Sequence, residues 1–185
     1  VIATLPEIGT LITTLVPGGH LDPEPFIARL AQVVELLRKF HDSGPLEGAF
    51  PIHRVVEWHA RDAAAYGAVV PAAYDRLHAQ SQRIEAAFAA APLPLVPCHN
   101  DLLPGNVLFE NGTDRTWLLD FEYAGMNDRF FDLGNLSVNC GLDAVADTEL
   151  LSLYFGKSSP THWARLQLMK MMSEFREGMW AVVQQ

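Results

Sequence analysis

Four polar side chains stand beside two short apolar runs in the segment PCHNDLLPGNVLFENGTDRTWLLDFEYAGMNDRFFDLGN, at residues 97–135. They are Asp101, Asn106, Asp120 and Glu122. Carboxylate and amide oxygens are ligands that Mg²⁺ accepts, and a carboxylate can also orient or deprotonate a substrate hydroxyl. Phosphoryl transfer requires little more from a protein than these two functions. The segment therefore predicts a phosphoryl-transfer site, built from a loop at residues 99–106 and a strand end at residues 120–122.

The order and spacing of these residues form a known pattern. His99, Asp101 and Asn106 fit H-x-D-x-x-x-x-N, and Asp120 follows at the end of a later strand. This arrangement is typical of protein-kinase-like phosphotransferases. A lone His-Asn-Asp would be a weak signal, whereas the full set in this order is a strong one.

A longer resemblance narrows the family. PCHNDLLPGN together with LLDFEYAGMNDRFFDLGN resembles the bacterial choline/ethanolamine kinase family, a branch of the aminoglycoside phosphotransferase-like kinases. Glu122 stands where protein kinases carry Gly, which favours this small-molecule branch. The later stretch MMSEFREGMWAVVQQ is similar to the Trp-bearing helix that closes the substrate pocket in choline kinases.

The resemblance implies a role for each matching residue. Asp101 is implied as the catalytic base, and Asn106 and Asp120 as ligands of the Mg²⁺ that accompanies ATP. Glu122 is implied either as a further metal contact or as local support. His99 and Asp132 are expected to hold the loop rather than to act on substrate, Asp132 by accepting backbone N–H bonds.

Two further regions are implied to bind ligands. The backbone of Thr14, Leu15 and Val16 is expected to link two lobes and to bond the adenine of ATP. Trp180, Glu177 and Tyr123 are expected to line the substrate pocket. A trimethylammonium group has no N–H donors, so aromatic faces and carboxylates are the groups that can bind it. Glu177 replaces a second Trp of better-known choline kinases, so strict choline selectivity is not implied.

The resemblance leaves three functions open. The first is a phosphotransferase that uses ATP and Mg²⁺ to phosphorylate the hydroxyl of a small amino alcohol such as choline or ethanolamine. The second is an aminoglycoside or other hydroxyl phosphotransferase. The third is a truncated, non-catalytic binding protein, or pseudokinase.

The surrounding elements predict an α+β fold in which helices dominate. Residues 1–16 alternate like a β-hairpin, and PGG at residues 17–19 is expected to break the strand. A helix is predicted from the cap Asp22 and Pro23 to about residue 41, with further helices at about 53–66, from 71, after Asp128 and from about 160. NVLF and TWLLDF, joined through Asn111 and Gly112, predict a short β-hairpin insertion.

The resemblance implies a division of the chain. Residues 1–16 are expected to be remnant strands and the hinge of an N-terminal lobe, and residues 17–185 the helical C-terminal lobe of a protein-kinase-like fold. A kinase of this class also needs a Gly-rich loop and a strand Lys, and residues 1–16 contain neither. We therefore expect this polypeptide alone to have little or no kinase activity.

Composition excludes several other classes. The formal net charge is -9 with no Lys/Arg cluster, which argues against nucleic acid as a partner. No apolar run is long enough to cross a membrane. Cys98 and Cys140 lack metal-ligand spacing, and reduced thiols favour a cytoplasmic protein. The sequence gives no oligomeric state.

Overall fold

The structure, a computed structural model, describes residues 2–20 and 26–185. In this part of the chain it contains helices α1 (Leu30–His41), α2 (Ile52–Ala65), α3 (Tyr74–Ala90), α4 (Arg129–Asn139), α5 (Ala144–Phe155) and α6 (Pro160–Val183). The strands are β1 (Ala3–Leu5), β2 (Thr10–Ile12), β3 (Gly18–Gly19), β4 (Val96–Cys98), β5 (Val107–Glu110), β6 (Thr116–Leu118) and β7 (Gly125–Asn127). The predicted α+β class with a helical majority is confirmed.

Apolar periodicity and capping residues explain the helices. In α1 the buried Leu30, Val33, Val34 and Leu37 recur at helical spacing and face the core. Asp143 caps α5 by accepting the N–H groups of residues 145 and 146. None of the helices in the described residues is long and apolar enough to cross a bilayer. The predicted cap at Asp22 and Pro23 lies outside the described residues.

The strands form three small antiparallel sheets, ordered β1-β2, β3-β5-β6 and β4-β7. The predicted hairpin within residues 1–16 is present, with Ala3 opposite Ile12, while Val1 lies outside the described residues. The predicted insertion hairpin pairs Val107 with Leu118, and Gly112 in its turn has a φ of 71°. That positive φ is the backbone conformation for which Asn-Gly turns are selected.

One expectation about the strands was wrong. PGG at residues 17–19 does not simply end strand structure, because Gly18 and Gly19 pair with Glu110 and Phe109 of β5. A Cβ on Gly18 would lie 2.4 Å from the backbone oxygen of Phe109. The absence of a side chain is therefore what allows this close approach. β7, which pairs with β4, was not predicted at all.

Helices α4 and α6 pack against each other at the centre of the molecule, and α2 also packs against α6. Leu133 and Leu136 of α4 and Met172 of α6 are fully buried there. At Gly134 the two backbones come so close that a Cβ would lie 2.8 Å from Met169 C and Lys170 N. This crossing fixes the position of α4, whose first turn supports the functional site described below.

We expect Gly134→Ala to destabilise the chain by about 1–3 kcal/mol, because the helices must separate to admit the methyl group. Gly178→Ala is the matched control, since Gly178 is likewise a helical glycine, in α6, but a Cβ at that position would meet no atom of another element within 4 Å. That control should instead stabilise the chain by about 0.5–1 kcal/mol, as Ala does in an unobstructed helix. Urea denaturation of both variants measures the difference, and equal free energies of unfolding would contradict the prediction.

Candidate active site

Asp101 and Asn106 lie side by side in the loop that follows β4. Asn106 Nδ2 donates to the backbone oxygen of Asp101 at 2.9 Å and to Asp101 Oδ2 at 3.3 Å. Asp101 is only 8% exposed. Because the Asn106 side chain uses Nδ2 for both bonds, its Oδ1 remains available to a cation.

Asp132, in the first turns of α4, holds the start of this loop. Its Oδ2 accepts the backbone N–H of His99 and its Oδ1 accepts that of Asn100, both at 2.7 Å. Asp132 is fully buried, so its charge has no solvent to stabilise it. The two backbone donors supply that stabilisation and at the same time fix the loop to α4.

A histidine and a tyrosine complete the surroundings of Asp132. His41 Nε2 lies 3.1 Å from Asp132 Oδ2, and His41 Nδ1 lies 2.5 Å from the hydroxyl of Tyr154. A carboxylate oxygen can only accept, so Nε2 donates to Asp132. In the neutral imidazole Nδ1 then accepts from the hydroxyl of Tyr154, whose pKa burial raises to about 12.

These buried groups are better explained as a hydrogen-bond network than as a metal centre. Ligand atoms of His41, Cys98 and Asp132 lie within 4.8 Å of one another. However, burial raises the pKa of the Cys98 thiol, whereas a metal ligand must be a thiolate. The imidazole nitrogens of His41 are also already engaged with Asp132 and Tyr154.

Asn100 joins the loop to the segment that carries the other carboxylates. It has a φ of 65°, in the left-handed region that Asn tolerates better than most residues. Its Nδ2 donates to the backbone oxygens of Tyr123 at 2.9 Å and Cys98 at 3.1 Å. Asn127 Nδ2 donates to Asn100 Oδ1 at 2.9 Å. These bonds hold residues 121–127 against the loop.

Asp120 and Glu122 follow β6 and are both exposed. The ring Nε2 of His99 donates to the backbone oxygen of Leu119 at 2.7 Å, which anchors this strand end directly beside Asp120. Asp120 itself has a φ of 61°, the only described non-glycine residue besides Asn100 with a left-handed backbone. His99 thus connects the loop at residues 99–106 with the strand end at residues 120–122.

The side chains meet in one cleft of about 250 Å³, hereafter the carboxylate cleft. Trp180, which lines this cleft, is 40% exposed, so part of the residue remains accessible to a ligand. Four carboxylates and one guanidinium line the cleft, a formal charge of −3 at neutral pH. Its lining is Asp101, Leu103, Asn106, Asp120, Glu122, Tyr123, Arg176, Glu177 and Trp180.

The residues predicted to act as base, metal ligands and substrate pocket are therefore brought together, whereas those predicted to bind adenine are not part of this cleft. Thr14 and Leu15 are exposed and Val16 is partly exposed, in the connection between β2 and β3. His99 and Asp132 lie behind the cleft, where they hold its loop.

Arg176 is a residue of the cleft that was not predicted from the sequence. Its Nη1 donates to Asp101 Oδ1 at 2.9 Å and to Glu177 Oε1 at 2.5 Å, and its guanidinium lies 4.8 Å from the Tyr123 ring centroid. Burial lowers the pKa of Arg176, but the hydrogen bond to Asp101 and the charge of Glu177 outweigh it, so that the pKa is raised. The guanidinium therefore stays charged inside the protein.

A signal for Arg176 was present in the sequence. It lies four residues after Met172 and seven after Met169, which are both on the buried face of α6. A cation on the buried face of a helix requires an acidic partner. Periodicity shows that such a partner must exist but does not identify it as Asp101, which is 75 residues away.

Comparisons with known proteins identify the family of this chain. A family model described as "Phosphotransferase enzyme family" matches residues 3–169. Protein LicA of Haemophilus influenzae is 36% identical over 74 residues, which cover 40% of this chain and 27% of that protein. Ethanolamine kinase 2 of Mus musculus is 36% identical over 76 residues, which cover 40% of this chain and 19% of that enzyme.

Solved structures share the fold. A choline/ethanolamine kinase family protein from Mesorhizobium loti superposes with a TM-score of 0.80 at 32% identity, covering 92% of this chain and 59% of that one. A GDP complex of an aminoglycoside 2'-phosphotransferase-IIIa mutant gives a TM-score of 0.63 at 16% identity, covering 90% of this chain and 62% of that one. The predicted protein-kinase-like fold and the predicted resemblance are confirmed.

We expect Asp132→Ala to destabilise the chain by about 3–5 kcal/mol, because it leaves two backbone N–H groups and His41 buried without their acceptor. Asp143→Ala is the control, since that carboxylate also accepts two backbone N–H groups but is exposed. Its loss should cost about 1 kcal/mol. Urea denaturation measures both values. A cost for Asp132→Ala no larger than that of the control would contradict the role assigned to the buried network.

Proposed function

The chain belongs to the phosphotransferase enzyme family, and on that premise we propose that it transfers a phosphoryl group from ATP to the hydroxyl of a small amino alcohol such as ethanolamine or choline. The observation that carries this proposal is the carboxylate cleft. It brings Asp101, the side-chain oxygens of residues 106, 120 and 122, and the partly exposed Trp180 into one space. The substrate hydroxyl, which would receive the phosphoryl group, and the substrate ammonium would both find side chains to bind them in this cleft.

Asp101 is the proposed base. Arg176 bonds one of its carboxylate oxygens and Asn106 bonds the other, so the side chain is fixed before substrate binds. A carboxylate fixed in this way can accept a hydrogen bond from the substrate hydroxyl and orient its oxygen toward the phosphorus atom. In this role Asp101 positions the nucleophile and receives its proton as the new bond forms.

The donor set fits Mg²⁺. Asn106 Oδ1 and the carboxylates of Asp120 and Glu122 are all oxygen ligands, and Asp120 and Glu122 are exposed where nucleotide phosphates could approach. When bound there, the ion would supply charge neutralisation for the transferred phosphoryl group. Asp120 and Asn106 are the proposed ligands, and Glu122 is either a further ligand or their support.

The nucleotide is proposed to meet the connection between β2 and β3. Thr14, Leu15 and Val16 form none of the backbone hydrogen bonds found among the described residues. Their N–H and C=O groups are therefore available to the edge of an adenine ring. This assignment rests on the family resemblance and on that availability.

The substrate cation is proposed to lie between Trp180 and Glu177, with Tyr123 beside them. An indole face attracts an ammonium group, and the surplus of carboxylates attracts it over a longer range. The cleft volume of about 250 Å³ favours a compact amino alcohol over a sugar with several rings. Aminoglycoside phosphorylation is therefore the second candidate and not the first.

A substrate panel tests this choice. We expect the natural protein that contains this chain, supplied with ATP and Mg²⁺, to act on ethanolamine or choline with a kcat/KM at least about tenfold above that for kanamycin-type sugars. Higher values on the sugars would reassign the enzyme. If the protein binds amino alcohols but turns over no member of the panel, the binding-protein interpretation replaces the enzymatic one.

The role of Asp101 is tested separately. We expect Asp101→Ala to lower kcat by about 10²–10⁴-fold, because the hydroxyl loses its base and its orientation. Nucleotide affinity should stay within about threefold, since the base does not contact the nucleotide. Asp114→Ala, in the exposed β5–β6 turn, is the control and should leave kcat unchanged. A rate for Asp101→Ala close to wild type would refute the assignment.

A further inference from the structure

Arg176 introduces a positive charge into a cleft that is proposed to bind a cation. It is 2% exposed and lies between Asp101 and Glu177, which it contacts through the same nitrogen. Its guanidinium also covers one approach to the Tyr123 ring, at 4.8 Å. Arg176 thus contacts Asp101, Glu177 and Tyr123, three side chains that would otherwise attract the ammonium of the substrate. A residue that only served substrate affinity would not be placed there.

The hydrogen bonds of Asp101 explain why Arg176 lies in this position. The carboxylate accepts from Arg176 Nη1 on Oδ1 and from Asn106 Nδ2 on Oδ2. Without Arg176, only the longer bond of 3.3 Å would hold the side chain of Asp101. Asp101 could then rotate toward whatever cation enters the cleft, and an ammonium group is such a cation.

We propose that Arg176 is a positioning residue that acts as a built-in counter-charge: it keeps Asp101 directed at the substrate hydroxyl and prevents the substrate ammonium from pairing with Asp101. This inference rests on the proposed function, and it assigns different side chains of the cleft to the ammonium and to the hydroxyl of the substrate. The ammonium is left with Trp180 and the free oxygen of Glu177, and Asp101 is reserved for the hydroxyl.

The proposal predicts changes of opposite sign in affinity and in rate. Arg176→Gln removes the positive charge but keeps an amide donor for Asp101. The cleft charge would change from −3 to −4, so ethanolamine and choline should bind about threefold to tenfold more tightly at low salt. That gain should shrink in 0.5 M NaCl because the charges are screened. At the same time kcat should fall about tenfold to a hundredfold, since a neutral amide on a shorter side chain holds Asp101 less firmly than the guanidinium does.

Two variants separate this role from simple structural support. Arg176→Lys retains the charge with fewer donors, so it should keep wild-type affinity and recover part of kcat. Arg165→Gln is the matched control, because Arg165 is another buried arginine of α6 and pairs with Asp128 at 2.9 Å. Arg165 does not line the carboxylate cleft. At a temperature where the variant is folded, Arg165→Gln should therefore bind the two cations with wild-type affinity and turn them over with the wild-type kcat.

The two measurements decide different questions. Calorimetric titration of the chain with ethanolamine hydrochloride and choline chloride needs no turnover, and the ratio of affinities between Arg176→Gln and wild type tests the counter-charge. Turnover of the same compounds by the wild-type natural protein tests the proposed function. Tighter cation binding with a lower kcat supports the inference. Weaker or unchanged cation binding in Arg176→Gln overturns it, whatever the effect on kcat, because that is the result expected of a purely structural residue.

Discussion

The buried carboxylate of Asp132 is the constraint on which the rest of the site depends. A charge without solvent must be fully hydrogen-bonded, and it takes the N–H groups of His99 and Asn100 together with the imidazole of His41. These donors come from α1 and from the loop after β4, while Asp132 belongs to α4. One side chain therefore fixes the position of two helices and of the loop that presents Asp101. The close crossing of α4 and α6 at Gly134 then sets where α6 delivers Arg176 to the same loop.

Charge pairing on α6 explains how an acidic cleft can exist beside a packed core. Arg165 and Arg176 are both buried, and each pairs with a carboxylate at 2.9 Å. Arg165 pairs with Asp128, the cap of α4, and so holds the start of α4 against α6, while Arg176 pairs with Asp101 and so orients the side chain of Asp101 in the cleft. Pairs of this kind contribute little net stability because both ions lose their hydration. Their contribution is geometric, because a buried planar guanidinium can pair with a carboxylate in only a few orientations.

The elements that could be predicted from the sequence are those whose signal is local. The spacing of Leu30, Val33 and Leu37 is sufficient to predict α1, and Asn111-Gly112 is sufficient to predict the β5–β6 hairpin. The residues of the loop and strand end were predicted to converge because their order matches a motif, and the structure places them in one cleft. Strand β7 was missed because residues 125–127 (Gly-Met-Asn) have little intrinsic strand preference, and their backbone partners, β4 and Ala49, are distant in the sequence. Arg176 was missed for the same reason, since its partner is fixed by the tertiary fold.

The two halves of the cleft differ in how far they are organised before ligands bind. Asp101 and Arg176 are buried and hydrogen-bonded, so the half proposed to meet the substrate hydroxyl is already in place. Asp120 and Glu122 are exposed, and Asp120 holds a strained left-handed backbone next to the anchored Leu119. Bringing exposed carboxylates together costs electrostatic repulsion, which a divalent cation would offset. The half proposed to face the phosphates is therefore the part whose geometry metal and nucleotide would complete, while the fold alone determines the half proposed to orient the acceptor hydroxyl.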